Sequence, residues 1–147
     1  MTKTIGIVGG GQLGRMLTLA AKPLGFDVVV INPAAGSPAA QVGAIEIVAD
    51  LYDPKAITEL SRRAHHITVE IEHLDADALE KVALAGAPVH PAPATIRLIQ
   101  DKYLQKVFLR KAGVSVSDFE AIDDEPAALA LLKKWGGKMI IKTRHGA

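Results

Sequence analysis

The stretch Thr4-Ile5-Gly6-Ile7-Val8-Gly9-Gly10-Gly11-Gln12-Leu13-Gly14 decides the fold. Its first half is a short, β-branched apolar run bounded by glycine, the pattern of a strand buried on both faces. Its second half fits G-x-G-x-x-G and opens onto Leu13, Met16, Leu17 and Ala20, which recur at helical spacing before Gly25 closes the helix. Met16 and Leu17 are accordingly expected in the core. A strand that enters a helix through glycines lets the backbone turn tightly and approach a ligand, with the free N–H groups of the first helical turn facing an anion. Arg15 adds a nearby cation. The plainer role for these glycines is to let helix and strand pack closely.

Working outward, residues 27–31 (Asp-Val-Val-Val-Ile) read as a second buried strand, and residues 33–43 as a Pro/Gly/Ala/Ser loop. Residues 44–49 read as a third strand, and Asp53-Pro54 starts a helix with a capping residue and a proline at its first position. Residues 67–71 make a fourth strand, after which Asp75 caps a helix running to about Leu84. Strands alternating with helices predict an α/β, Rossmann-like parallel sheet with helices on both faces. The proline-punctuated stretch 88–93 suits a linker or a short edge strand. Beyond it the pattern predicts one helix from Ala94 to about Lys111, a strand near residues 119–122, a helix over 126–135 and a strand over 139–142. The domain boundary is expected around residues 95–100, giving domains 1–98 and 99–147.

The 147 residues, 49% hydrophobic and 22% charged, describe a globular chain rather than a disordered or fibrous one. No apolar run approaches the roughly 20 residues needed to cross a bilayer, so no membrane partner is expected. With no cysteine, disulfides, thiolate metal sites and cysteine nucleophiles are excluded, and a cytoplasmic location is expected. A net charge of +1 and six aromatic residues give no general pull toward nucleic acid. The charge is uneven, however. Residues 1–98 hold 8 Lys/Arg against 10 Asp/Glu, whereas residues 99–147 hold 9 against 6. The basic cluster of the second segment reads either as solvated helix faces or as polyphosphate chemistry.

The glycine turn contains its own test for a nicotinamide cofactor. An NAD site wants an acid at the end of the second strand, where this chain has Ile31-Asn32-Pro33, and no Arg or Lys between Pro33 and Pro54 suits NADP. Glu70-Ile71-Glu72 places two carboxylates at i and i+2, so both are expected to project together from one strand face at the strand's C-terminal end. Ligands of an open parallel sheet lie outside its carboxyl ends, so this pair is a candidate for holding hydroxyl or amino groups. His65, His66, His73, His90 and His145 match no metal spacing, and no G-x-S-x-G nucleophile elbow is present. Lys142 leaves an apolar run, where a nucleotide-phosphate lysine or an ordinary strand terminus would lie.

Four blocks occur in order: Gly9-Gly-Gly-Gln-Leu-Gly-Arg-Met16, Glu70-Ile-Glu-His73, Thr95-Ile-Arg-Leu-Ile-Gln-Asp-Lys-Tyr103 and Ile141-Lys-Thr-Arg144. Together they resemble the 5-(carboxyamino)imidazole ribonucleotide synthetase family of ATP-grasp enzymes, over essentially the whole chain. The Ile-Gln-Asp-Lys-Tyr form is most similar to the fungal-type branch, in which this unit can be fused to a carboxylase/mutase domain. The resemblance implies a pre-ATP-grasp domain followed by the opening of an ATP-grasp domain. It further implies a ligase of de novo purine synthesis that uses ATP, Mg2+ and bicarbonate to make carboxyphosphate and then carboxylates the exocyclic amine of aminoimidazole ribonucleotide. Gly11, Gln12, Leu13, Glu70 and Glu72 are then implied as ribonucleotide contacts, and Lys102 and Lys142 as contacts of the ATP phosphates. Family members are usually dimeric.

The family also carries a Tyr-Asp-Gly loop, an adenine pocket and magnesium-binding carboxylates that have no counterpart in these 147 residues. No catalytic residue and no metal ligand is therefore assigned, and the chain is expected to be a fragment inactive on its own. Three alternatives stand beside this reading. They are another ATP-grasp ligase, such as a glycinamide ribonucleotide transformylase-like or biotin carboxylase-like protein, a Rossmann nucleotide-binding regulatory module, and a noncatalytic interaction fragment.

Overall fold

The structure, a computed structural model, describes residues 2–146. Two compact units divide the chain, the first ending at Arg97 and the second opening at Leu98.

In the first unit, β1 (Thr4–Val8), β2 (Asp27–Asn32), β3 (Ile45–Val48) and β4 (His66–Val69) form a parallel sheet in the order β3-β2-β1-β4. Ile7 pairs with Val30 on one side and Thr68 on the other, which puts β1 at the centre. Helix α1 (Gln12–Ala21) crosses from β1 to β2 and α2 (Pro54–Arg63) from β3 to β4. The strand alternation divides them between the faces. Ile7, Val28 and Val30 pack with Ala21 of α1, whereas a methyl group on Gly6 would lie 2.9 Å from Leu60 of α2. Asp53 accepts from Lys55 N ahead of Pro54, and Asp75 accepts from Ala78 N at the start of α3 (Ala76–Leu84), so both acids cap as their positions predict. The α/β reading, with a parallel sheet covered on both faces, is the observed architecture. Residue Val89 of the proline-rich stretch adds a single bridge to Ile67 at the sheet's edge.

Met16 and Leu17 are not core: they are 64% and 41% exposed. The buried stripe of α1 is Gly14, Thr18 and Ala21. Small residues let the helix lie close to the sheet, and the larger apolar side chains of α1 fall outside that narrow contact.

The expected helix over 94–111 is two helices, α4 (Pro93–Gln100), which spans the division between the units, and α5 (Lys102–Lys111). Asp101 breaks them apart. Its backbone is extended (φ −112°, ψ 103°) and its carboxylate accepts from the N–H groups of Tyr103 and Leu104, capping α5. In the first unit, Arg97 on α4 reaches back to α3, with hydrogen bonds to Asp77 Oδ1 and Glu80 Oε2. These two carboxylates hold the guanidinium well above its usual range.

The second unit carries α5 and α6 (Glu125–Lys134), the latter capped by Asp124. The strands expected over 119–122 and 139–142 do not form: both stretches lack ladder hydrogen bonds. A strand exists only by pairing, and apolar patterning alone does not supply a partner edge. Phe119 instead packs edge-on against Tyr103, with centroids 5.5 Å apart, beneath the Arg110 guanidinium at 4.3 Å. Among the described residues, no helix is long and apolar enough to cross a membrane.

Candidate functional site

The sheet's carboxyl edge carries the first candidate site. Gly9 leaves β1 with φ 109°, a conformation that disfavours any side chain, and its N–H donates to Ile31 O. The turn brings Gly11 and Gly14 beneath the residues that follow β4. That strand ends at Val69, although Glu70 N still donates to Val8 O at 2.9 Å. Glu70 and Glu72 consequently do not share a strand face as expected, because the chain bends as soon as the ladder stops. The Glu70 carboxylate turns into the glycine turn, where Oε2 accepts the Gly14 N–H at 2.9 Å. Side chains on Gly9 or Gly14 would collide with Glu70: a methyl on Gly14 would lie 2.6 Å from Oε2. Glu72 is half-buried next to His73, its Oε1 at 3.5 Å from Nε2. Gln12 and Leu13 are exposed at the start of α1.

A second carboxylate braces the same edge. Glu46 on β3 accepts from the backbone N–H groups of Gly36 and Ser37, each at 2.8 Å. The hydrogen bond from the Ser37 side chain lowers the Glu46 carboxyl below its ordinary range, aided by the two backbone N–H groups and against a smaller opposing effect of burial. Ser37 in turn lies against Gly10, whose carbonyl accepts from Ala39 N at 3.0 Å. Asn32, standing where a dinucleotide fold would place its ribose acid, donates to Ala34 O. Arg15 donates to Gln41 Oε1 at 3.3 Å.

The second unit contains a cleft of about 460 Å³ that brings Lys102 and Lys142 together across 40 residues of sequence. Tyr103, Trp135, Lys138 and Arg144 also line it. The two lysines line a smaller neighbouring cavity as well, with Ile141 and Thr143. Asp101 assembles this arrangement. Its buried carboxylate accepts Arg144 Nε at 2.7 Å, and His145 Nε2 lies 3.7 Å away. The backbone closes the same connection, with Lys102 N donating to Arg144 O and the Lys102 ammonium to Gly146 O. Burial pushes the Asp101 carboxyl upward, but the Leu104 and Tyr103 N–H groups and Arg144 outweigh it and hold the carboxyl below its usual range. Lys102 is thus partnered within the chain, as are Lys106, which donates to Ser117, Arg110, which stacks on Phe119, and Lys134, which meets Glu120.

Sequence reasoning gave Asp101 and Glu46 no role and placed Arg144 only within the basic cluster of the second segment. Asp101 carried a signal, since an Asp directly before an apolar-periodic run is a helix start. Glu46 carried none, because its partners lie ten residues back in a loop. Among the described residues, no group of three or more His, Asp or Glu side chains could hold a metal ion, and the cations Lys102, Lys138, Lys142 and Arg144 that line the second-unit cleft suit an anion and not Mg2+.

Residues 1–100 match the model of the ribonucleotide synthetase preATP-grasp domain. N5-carboxyaminoimidazole ribonucleotide synthase of Brucella melitensis is 43% identical over 142 residues, covering 97% of this chain and 39% of that protein. The crystal structure of N5-carboxyaminoimidazole ribonucleotide synthetase from Thermotoga maritima superposes with a TM-score of 0.89 at 40% identity, over 99% of this chain and 39% of that one. That of N5-carboxyaminoimidazole synthase from Aspergillus clavatus, in complex with ADP and 5-aminoimidazole ribonucleotide, superposes with a TM-score of 0.82 at 36% identity, over 91% of this chain and 36% of that one. The chain thus spans about two fifths of the length of the relatives it matches. With a glycine turn closing a parallel sheet and a family match covering that sheet entire, the chain belongs to the ribonucleotide synthetase preATP-grasp domain family.

Proposed function

We propose that these residues form the amino-terminal part of an ATP-dependent carbon–nitrogen ligase that carboxylates aminoimidazole ribonucleotide with bicarbonate in purine synthesis. The observation that carries the reading is the convergence of Lys102 and Lys142 on one cleft beside Trp135. Two ammonium groups in a partly enclosed cleft are suited to the β- and γ-oxygens of a nucleoside triphosphate, whose transfer depends on positioning and charge compensation. At the other candidate site, Gln12, Leu13 and Glu72 would meet the ribonucleotide, with Gly11 contributing its backbone. ADP in the Aspergillus clavatus relative supports the nucleotide, and the 5-aminoimidazole ribonucleotide bound there supports the substrate.

Mg2+ would come from ligands outside the described residues, and none of the roles above uses it. The whole enzyme would be cytoplasmic and homodimeric, with a carboxylase/mutase domain as its fused or separate partner. The 147 residues alone would not sustain ATP turnover, in keeping with their share of the relatives' length.

Trp135 is the chain's one tryptophan and lines the proposed nucleotide cleft, so its emission reports occupancy. Titration with ADP should change that emission saturably, and Lys102→Ala or Lys142→Ala should each weaken binding by about 10- to 100-fold, the value of a charge-assisted hydrogen bond. A saturable response unchanged in both variants would remove the two lysines from the nucleotide site. A bicarbonate-dependent ATPase assay of the same chain tests the second claim, which sustained turnover would refute.

A further inference from the structure

We infer that Glu70 is a positioning residue, one that holds the glycine turn closed and keeps phosphate out of it. In a dinucleotide fold, phosphate is received by free N–H groups in the first turn of the helix. Here the Gly14 N–H is already bonded to Glu70 Oε2 at 2.9 Å, inside the chain. The absence of side chains at Gly9, Gly11 and Gly14 provides the space that this carboxylate occupies: a Cβ on any of the three would come within 3 Å of Glu70. The glycines therefore accommodate an internal anion instead of an external one.

An independent contact on the other flank has the same character. The adjacent N–H groups of Gly36 and Ser37, a natural cradle for an oxyanion, are both bonded to Glu46. Ser37 then backs onto Gly10. The turn is thus held between Glu70 and the Glu46–Ser37 pair, with two negative charges at the edge and Arg15 engaged by Gln41. Phosphate approaching this edge meets Gly14, Gly36 and Ser37 N–H groups already bonded inside the chain, and like charge from the two carboxylates. The reading rests on the proposed substrate only for one consequence: the ribonucleotide would present hydroxyl or amino groups to this turn, with its phosphate held elsewhere.

The test uses the full 147-residue chain, labelled with 15N, with inorganic phosphate as the probe at constant ionic strength. In the wild type, phosphate up to about 20 mM should leave the amides of residues 9–15 without saturable shifts, since the Gly14 donor is taken and the adjacent carboxylates repel an anion. Glu70→Ala should lower protection of the Gly14 amide against hydrogen exchange by about tenfold, the equivalent of one net hydrogen bond. It should also bring phosphate-dependent shifts to residues 11–14. Glu70→Gln retains an acceptor, so it should keep Gly14 protection within about threefold of wild type. Saturable shifts of these amides in the wild type would overturn the inference. So would equal Gly14 protection in wild type and Glu70→Ala, or a Glu70→Gln chain that loses Gly14 protection altogether. If Glu70→Ala does not fold, the wild-type titration and Glu70→Gln still decide. Because the probe contains neither ribose nor imidazole, its outcome is separate from the identity of the substrate, which ADP and ribonucleotide binding test on their own.

Discussion

Asp101 Oδ2 accepts a 2.7 Å hydrogen bond from Arg144 Nε, 43 residues further along the chain, while Asp101 Oδ1 caps α5 through Tyr103 N and Leu104 N. One carboxylate, 7% exposed, therefore fixes both the start of a helix and the return of a distant extended segment. Replacing it removes a cap and leaves Arg144 without this partner. Asp101→Ala should destabilise the second unit by about 1–3 kcal/mol, combining a lost N-cap with a lost charge-assisted bond. Urea unfolding followed by Trp135 emission measures this directly, because that residue lies in the same unit. An unchanged midpoint would show that the contact contributes no stability.

The same carboxylate makes the second unit acid-sensitive, and Glu46 does so for the first. Both carboxyls are lowered below their ordinary range in the folded chain. The unfolded state then takes up protons more readily, so the stabilisation is fully present above the unfolded values near about 4. It is lost as pH falls through the lower folded values. Stability measured from pH 6 downward should hold until about pH 4–5 and then decline. In Asp101→Asn, the decline monitored at Trp135 should be shallower than in wild type. An equal slope in both chains would assign the acid sensitivity to other groups.

How much of this was legible follows from the range over which each signal acts. The strand–glycine–helix run at residues 4–21 and the caps Asp53 and Asp75 are local, and the sequence pattern located them. Glu70 was recognised as important, but its destination was not. Period-two patterning does not mark the residue at which a ladder ends, and capture by Gly14, 56 positions earlier, is a tertiary event. Met16 and Leu17 were misread because burial on α1 follows the small residues that permit close approach, whereas apolar spacing follows side-chain character alone. The stretches 119–122 and 139–142 have strand-like composition yet no pairing edge, and pairing is information that no single segment contains.

The glycine turn yields a graded prediction. A methyl on Gly14 would lie 2.9 Å from the carbonyl oxygen of Gly9, a backbone atom, in addition to Glu70 Oε2. Backbone cannot swing aside, so Gly14→Ala should cost about 1–3 kcal/mol, as overpacking does. The atoms nearest a methyl on Gly11 all belong to the Glu70 carboxylate, which can move. Gly11→Ala should therefore be milder, about 1 kcal/mol for the bond to Gly14 given up when Glu70 moves. Thermal unfolding by circular dichroism ranks the two. A larger loss for Gly11→Ala would mean that the Glu70 contact, and not the turn's backbone, limits the packing.

The division of α1 into a buried small-residue stripe and an exposed apolar side can be tested with two substitutions of opposite expected effect. Met16 is 64% exposed, so Met16→Lys adds a charge where water already reaches and should change stability by less than about 0.5 kcal/mol. Ile7, 1% exposed on the central strand, packs with Ala21, Val28 and Val30 against the inner side of that helix. Ile7→Ala should cost about 2–5 kcal/mol through lost burial and the cavity left behind. Urea unfolding of the 147-residue chain by circular dichroism compares them under one condition. If Met16→Lys proved as damaging as Ile7→Ala, the outer side of α1 would be covered in solution, and the apolar spacing at Leu13, Met16 and Leu17 would mark a contact surface after all.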